Sequence, residues 1–302
     1  MKRIVPFFAA TLLFVTPACN KGSNSGGSGT SSATSTTAAK EAAPKEIGTK
    51  FTKKTPATGM KTSDASVNET ALKLKLMGKN IGVEETQTTK KDDEVLEVAN
   101  GVVTKARVTY AQAEKKHQED GKPVKTKTEP VSGKSYVVVY KNDKVTVLTD
   151  KEKPAPKNEA KIVGNDYASM GKPDPLFTAL PDRPLKDGEE LPELADAMKN
   201  VIIAHGRPSE QEKITVETVK VVFKNKEGEN GIFDVTMTMK VDAGFFKVSM
   251  PLTGKLAVRV VDAWPASLSL EGPLNLDLKE KDKKAGVEGG GTMKMNAIYA
   301  YK

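Results

Sequence analysis

The stretch Phe233-Asp234-Val235-Thr236-Met237-Thr238-Met239-Lys240-Val241 alternates apolar and polar residues without a break. Successive side chains of a strand point to opposite faces, so this period of two marks a strand with one face on a core and the other in water. The pattern continues in Phe246, Val248, Met250 and Leu252, then in Leu256, Val258 and Val260. Leu268 and Leu270 precede Gly272, and Leu274, Leu276 and Leu278 follow it. Met293, Met295, Ala297, Tyr299 and Tyr301 close the chain. Upstream, Ile214 and Val216 hold one phase, while Val219, Val221 and Phe223 hold the other, which predicts a β-bulge. An antiparallel sheet with one wet face follows.

The first third has the same texture. Leu72, Leu74 and Leu76 alternate with Lys73, Lys75 and Met77. Asn100-Gly101 sits between two apolar runs and predicts a tight hairpin; Asn142-Asp143 predicts another. Residues 112–132 are polar and lysine-rich and are expected as an exposed loop. The middle is helical: one helix is expected from Asn158 through Met170 and another from Pro192 to the Gly206 stop, with a short turn after Asp174-Pro175.

Ten to twelve strands at about 4.8 Å spacing would make a flat sheet about 50 Å wide. Two long helices and a short one, each about 10 Å across, cannot cover that width. The sheet must curl or split. The expected class is therefore α+β: a large, curved, mostly antiparallel sheet, half-barrel-like, with two to three helices inserted mid-chain. At the level of architecture this resembles the half-barrel lipoproteins that carry lipids across the bacterial envelope.

Residues 1–18 form a signal peptide by their order: Lys2 and Arg3, then the apolar run Ile4 to Val15, then Thr16-Pro17-Ala18. Cys19 follows and is the only cysteine among 302 residues. Ala18-Cys19 resembles the lipobox of bacterial lipoproteins, although Thr16 and Pro17 depart from its usual residues. The resemblance implies removal of the signal and acylation of Cys19, which would anchor the protein to a membrane. Asn20 in place of Asp after the cysteine resembles the sorting pattern for the outer membrane, facing the periplasm or the cell surface. Asn20 to Ala39 is almost all Gly, Ser, Thr, Ala and Asn. Such a segment buries too little apolar area to offset its ordering entropy. Residues 19–65 are expected as a tether and 66–302 as one α+β domain.

The formal charge is +8, from dispersed lysines, and about +6 once Lys2 and Arg3 leave with the signal. That balance suits anionic envelope polymers or lipid headgroups. No basic helix or aromatic stripe points to nucleic acid. With one thiol there is no internal disulfide and no thiolate metal site.

Motifs that carry chemistry fail on inspection. Gly133-Lys134-Ser135 ends like a phosphate loop, but Thr128 stands where its first glycine belongs. Ser169-Met170-Gly171-Lys172 matches Ser-x-x-Lys at the wrong end of a helix. His117 is expected as a solvated loop residue, and His205 as a helix-end residue. Glu119-Asp120 and Glu189-Glu190 lie among lysines, where acids are ordinarily solvated. No catalytic residue, metal site or cofactor is expected.

Met237, Met239, Met250, Met293 and Met295 all fall on the apolar phase. The simpler reading is that they fill an irregular core. The functional one is a pliable groove lining for a lipid or other hydrophobic ligand. The expected function is non-catalytic binding or scaffolding by an envelope lipoprotein. A carrier of hydrophobic ligands is the alternative, and an enzyme the least supported reading.

Overall fold

The computed structural model describes residues 48–76, 79–205, 213–242, 246–278 and 288–302. The expected signal peptide, Cys19 and most of the expected tether lie outside these residues. So do the Gly206 stop and the lysine-rich run 279–284.

The strands are β1 (Lys61–Leu76), β2 (Lys79–Ala99), β3 (Val102–Glu119), β4 (Lys125–Thr128), β5 (Lys134–Lys141) and β6 (Lys144–Thr149). Then come α1 (Lys157–Asp166), α2 (Pro175–Ala179), β7 (Glu189–Glu190) and α3 (Pro192–His205). The chain ends with β8 (Lys213–Glu227), β9 (Asn230–Asp242), β10 (Phe246–Arg259), β11 (Pro265–Leu278) and β12 (Glu288–Tyr301). All twelve strands form one sheet in the order β6-β5-β3-β2-β1-β12-β11-β10-β9-β8-β7, with β4 also paired to β3. The sheet is antiparallel, curved and unclosed, and the expected α+β class holds.

The topology explains where the helices go. From β1 the chain steps outward to the edge strand β6, and it resumes at β7 and β8 on the opposite edge before stepping back to β12 beside β1. The intervening segment must cross the sheet, and it does so over one face. Val163, Tyr167 and Met170 of α1 and the following turn pack on β2, β3, β5 and β6. Leu194, Met198 and Ile202 of α3 pack on β8 to β12. Cross-strand partners share a face. The row Tyr299–Asp64–Lys91–Tyr110 therefore joins the two cores on one side of the sheet.

Curvature has a local cause. Gly254, Gly272 and Gly291 lie on successive strands β10, β11 and β12, and a Cβ at each would overlap the backbone of the adjacent strand. Glycine in strand interiors marks such close approaches and bends. The β10–β11 ladder is also interrupted. Its paired residues Ser249–Asn275 and Thr253–Glu271 bracket Pro251 and Pro273, neither of which can donate a hydrogen bond.

The hairpins form as expected, with Asn100, Gly101, Asn142 and Asp143 all at positive φ. The bulge appears as a register shift between Val216 and Thr218. Three expectations need correction. Residues 112–132 are not a loop: β3 runs to Glu119, because its polar residues pair with a polar stretch of β2, and β4 follows. The first helix starts at Lys157, behind Pro156 rather than an Asn158 cap, and ends at Asp166. The fold also begins before residue 66. β1 starts at Lys61, and Phe51 is buried against Phe223 and Phe233.

Candidate functional site

The helix-bearing face of β1 changes character along the strand. Thr62, Asp64 and Ser66 are buried, whereas Asn68, Thr70, Leu72 and Leu74 are half-buried. The sealed end and the open end hold different chemistry.

At the sealed end lies a buried ionic seam. Lys91 Nζ stands 3.5 Å from both Asp64 Oδ2 and Asp93 Oδ2, and 5.0 Å from the centre of the Tyr167 ring. The Tyr167 hydroxyl donates to Asp93 Oδ1, and the Tyr110 hydroxyl donates to Asp166 Oδ2 at 2.6 Å. Burial by itself would lower the Lys91 ammonium, but Asp93, Asp64 and Asp166 outweigh it and hold its pKa above the ordinary lysine value. Burial pushes Asp64 up to about 7, with Lys91 opposing and Asp93 reinforcing. A lysine held this firmly as a cation is no nucleophile. Beside the seam, Thr62, Asp93 and Tyr167 line a cavity of about 20 Å³, room for about one water. The seam fastens the end of α1 to the middle of the sheet.

The open end is a trough. Its cross-strand rows are Asn68–Gln87–Lys115, then Thr70–Glu85–His117, then Leu72–Val83–Glu119, then Leu74–Ile81. Lys115 Nζ lies 2.6 Å from Glu85 Oε1. His117 Nδ1 lies 3.8 Å from Glu85 Oε2, and its Nε2 lies 3.5 Å from Glu119 Oε1. Burial raises the Glu85 carboxyl above its ordinary value, against the pull of Lys115 and His117. Gln87 Oε1 is a buried atom without a hydrogen-bond partner, while both Glu85 oxygens and His117 Nδ1 are held by ion pairing, Lys115 against Oε1 and His117 against Oε2. At the same end an open recess of about 870 Å³ lies mainly on the opposite face of the sheet, lined by Ala71, Lys73, Lys75, Gly82, Glu84 and Asp120, and it also touches Leu74, Ile81 and Gly289 to Gly291.

Met237, Met239, Met250, Met293 and Met295 are each no more than 3% exposed, within the core packed by α3. Met293 and Met295 pair with Thr70 and Asn68, so these two border the trough. His117 is not a loop residue: it sits on β3, placed in the trough by its pairing with Glu85. Glu119 pairs with Lys122, and the Gly82 N–H donates to Asp120 Oδ2 at 2.5 Å. Glu189 pairs with Arg183, and Glu190 lies 2.9 Å from Lys220. Lys134 reaches Glu159 on α1 at 2.7 Å, and Ser169 lies past the end of that helix. Cys19 lies outside the described residues, and His205 ends α3. Among the described residues no group of three or more His, Cys, Asp or Glu is placed to hold a metal ion. No helix among them is long and apolar enough to cross a membrane.

Neither the seam nor the trough was recognised from the sequence, although a signal existed. Leu72, Leu74 and Leu76 set the inward phase of β1, and counting back by twos gives Thr70, Asn68, Ser66, Asp64 and Thr62. An inward polar run is invisible to a search for apolar alternation.

No protein-family model matches the chain, and no curated protein matches it. Among solved structures it is similar to lipovitellin, from a study of lipid–protein interactions, with 9% identity and a TM-score of 0.34 over 82% of this chain. The match spans 25% of the lipovitellin chain. An acetoacetate decarboxylase-like enzyme from Sphingomonas wittichii RW1 matches at 8% identity and a TM-score of 0.16, over 81% of this chain and 91% of that one. MucB in complex with MucA(peri) matches at 9% identity and a TM-score of 0.09, over 78% and 88%. Likenesses at these scores carry no argument about fold or function.

Proposed function

We propose that this chain is a bacterial cell-envelope lipoprotein that binds a partner or ligand on its sheet face and catalyses nothing. The N-terminal order Met1 to Cys19 supports the anchor: a basic start, an apolar run and a lone cysteine after a small residue. The glycine- and serine-rich stretch after it supports a domain standing clear of its membrane. Asn20 favours the outer membrane.

The observation that carries the binding role is the change along β1. A sheet that served only as scaffold would close its helix-bearing face over the whole length. Here that face is sealed at Thr62 to Ser66 and half-open from Asn68 to Leu74. The seam supports a non-catalytic reading, since its lysine is locked as a cation out of reach of substrate.

Membrane fractionation tests the anchor. The unsubstituted chain is expected in the membrane fraction and Cys19→Ser in the soluble one. A Cys19→Ser protein that stays membrane-bound sinks the lipoprotein reading.

A further inference from the structure

We propose that α1 and the turn after it form a proton-operated lid on the sheet. The seam holds this cover down while Asp64 carries a proton and lets it lift when Asp64 ionises. The lid works whether or not the sheet face binds a partner or ligand.

Acids fasten the cover. The buried residues of α1 are Glu159, Val163 and Asp166, one apolar side chain against two carboxyls. By contrast, α3 lies on its core through Leu194, Met198 and Ile202. Glu159 accepts from the Lys134 ammonium and from the Tyr136 hydroxyl, both at 2.7 Å, which fixes the first turn. Past the helix, the Gly171 N–H donates to Val103 O at 3.1 Å. Between these two points, residues 160–170 meet the seam through Tyr167 on Asp93 and Asp166 on Tyr110. Elements with few buried apolar contacts open ahead of the rest of a fold.

Asp64 is the least supported member of the seam. Asp93 and Asp166 each accept from a tyrosine hydroxyl. Asp64 Oδ1 meets no donor, and Oδ2 has only the Lys91 ammonium, 3.5 Å away and shared with Asp93. Burial raises this carboxyl to about 7, so its proton is exchanged near neutral pH, held below and lost above. A buried carboxylate that loses its proton here must draw in water. β1 cannot move toward solvent, because it is laddered to β2 on one side and β12 on the other. Facing Asp64 are Lys91 and Asp93 from β2, Tyr299 and Tyr301 from β12, and Tyr167, while Asp92 adds a like charge from the opposite face. Of these only Tyr167 belongs to no strand, so the cover is the side that yields. The cavity of about 20 Å³ marks the route for water: Thr62 and Asp93 line it from the sheet, and Tyr167, Met170 and Lys172 from the cover. Lifting residues 160–170 uncovers Val108, Val138 and Val147 of the smaller core.

Hydrogen exchange of the full mature chain, read by mass spectrometry and corrected for the intrinsic effect of pH on exchange, tests the lid. Protection of residues 160–170 should fall at least about tenfold between about pH 6 and about pH 8.5, while α3 keeps its protection. Asp64→Asn holds a neutral side chain at every pH, so residues 160–170 should stay protected at the higher pH. Tyr167→Phe removes the hydroxyl bond to Asp93 and should loosen residues 160–170 already at the lower pH, with α3 unchanged. A flat profile in the unsubstituted chain overturns the lid, as does an equal loss in α3, which marks global unfolding. A fall that persists in Asp64→Asn overturns the role of Asp64. Should Asp64→Asn fail to fold, Tyr167→Phe still decides: exchange no faster than in the unsubstituted chain overturns the fastening at the seam.

Discussion

Asp64 and Lys91 face each other across β1 and β2, with Asp64 Oδ2 3.5 Å from Lys91 Nζ and both side chains sealed from solvent. Two helix-covered cores meet at this pair. A core junction made of charge is costly to desolvate, and removing one partner leaves the others buried and uncompensated. Lys91→Met should therefore cost about 3–5 kcal/mol, read as a lower urea midpoint. Adding Asp64→Asn should restore part of the loss, because the carboxylate it removes is one Lys91 had balanced. Additive losses in the double variant would argue against a shared seam.

The same pair sets a pH dependence. The Asp64 carboxyl, at about 7, stands above its ordinary 3.8. The folded chain thus keeps a proton that the unfolded chain has lost. Stability from this group is complete below about pH 4 and falls as pH rises through about 7. Facing Asp64 are Lys91 and Asp93 from β2, Tyr299 and Tyr301 from β12, and Tyr167 after α1, while Asp92, on the opposite face beside Ser63, adds a further like charge. Melting curves between pH 5 and pH 8 should show a decline in Tm that flattens in Asp64→Asn. An unchanged slope would assign the decline elsewhere.

Gly231 is the seat of Phe51. A Cβ there would overlap the Phe51 ring and crowd Phe223. Phe51 comes from the strand-like segment before β1, pinned by a bridge between Thr49 and Leu185 and by Thr52 N–H donating to Val260 O at 2.9 Å. Gly231→Ala should cost about 1–3 kcal/mol by overpacking. Phe51→Ala should cost about 3–5 kcal/mol by cavity formation. Thermal denaturation of both variants checks this; a neutral Phe51→Ala would mean that the segment is not part of the core.

Asp174 caps α2. Its Oδ1 accepts from Leu176 N–H at 2.7 Å and Phe177 N–H at 3.0 Å. Burial pushes its carboxyl up to about 6, against those two bonds. Asp174→Ala should cost about 0.5–2 kcal/mol, while Asp174→Asn keeps an accepting oxygen and should cost less. Equal losses in chemical denaturation would mean that charge, not the cap, is what matters.

The C-terminal strands were legible because each carries an apolar phase of period two, unbroken from Phe233 to Val241 and interrupted only by glycine at Gly254 and Gly272 in the strands that follow. The hairpins were legible because Asn100-Gly101 and Asn142-Asp143 tolerate positive φ. The second half of β3 was not. Ala113, Lys115, His117 and Glu119 carry no apolar alternation, and the partners that hold them, Thr89, Gln87, Glu85 and Val83, are about 25–35 residues away in the chain. For the same reason the trough stayed hidden: its polar rows exist only once three strands are in register. Phe51, with Ile47, suggested at most the start of a short strand, since a single aromatic in a polar segment has no period to show that it is buried.

By itself, then, the sequence determined local things: strand phase, turn positions, the helical middle, the need for a wide sheet to curl, and the expected anchor at Cys19. Each depends on residues within a few positions of one another, where backbone geometry and side-chain spacing act directly. The tertiary structure decided strand order, the crossing of the helices over one face, and the meeting of Asp64 with Lys91 and of Glu85 with His117. Those pairings join residues far apart in the chain. They become neighbours only when burial of two apolar cores offsets the entropy of bringing distant strands into register.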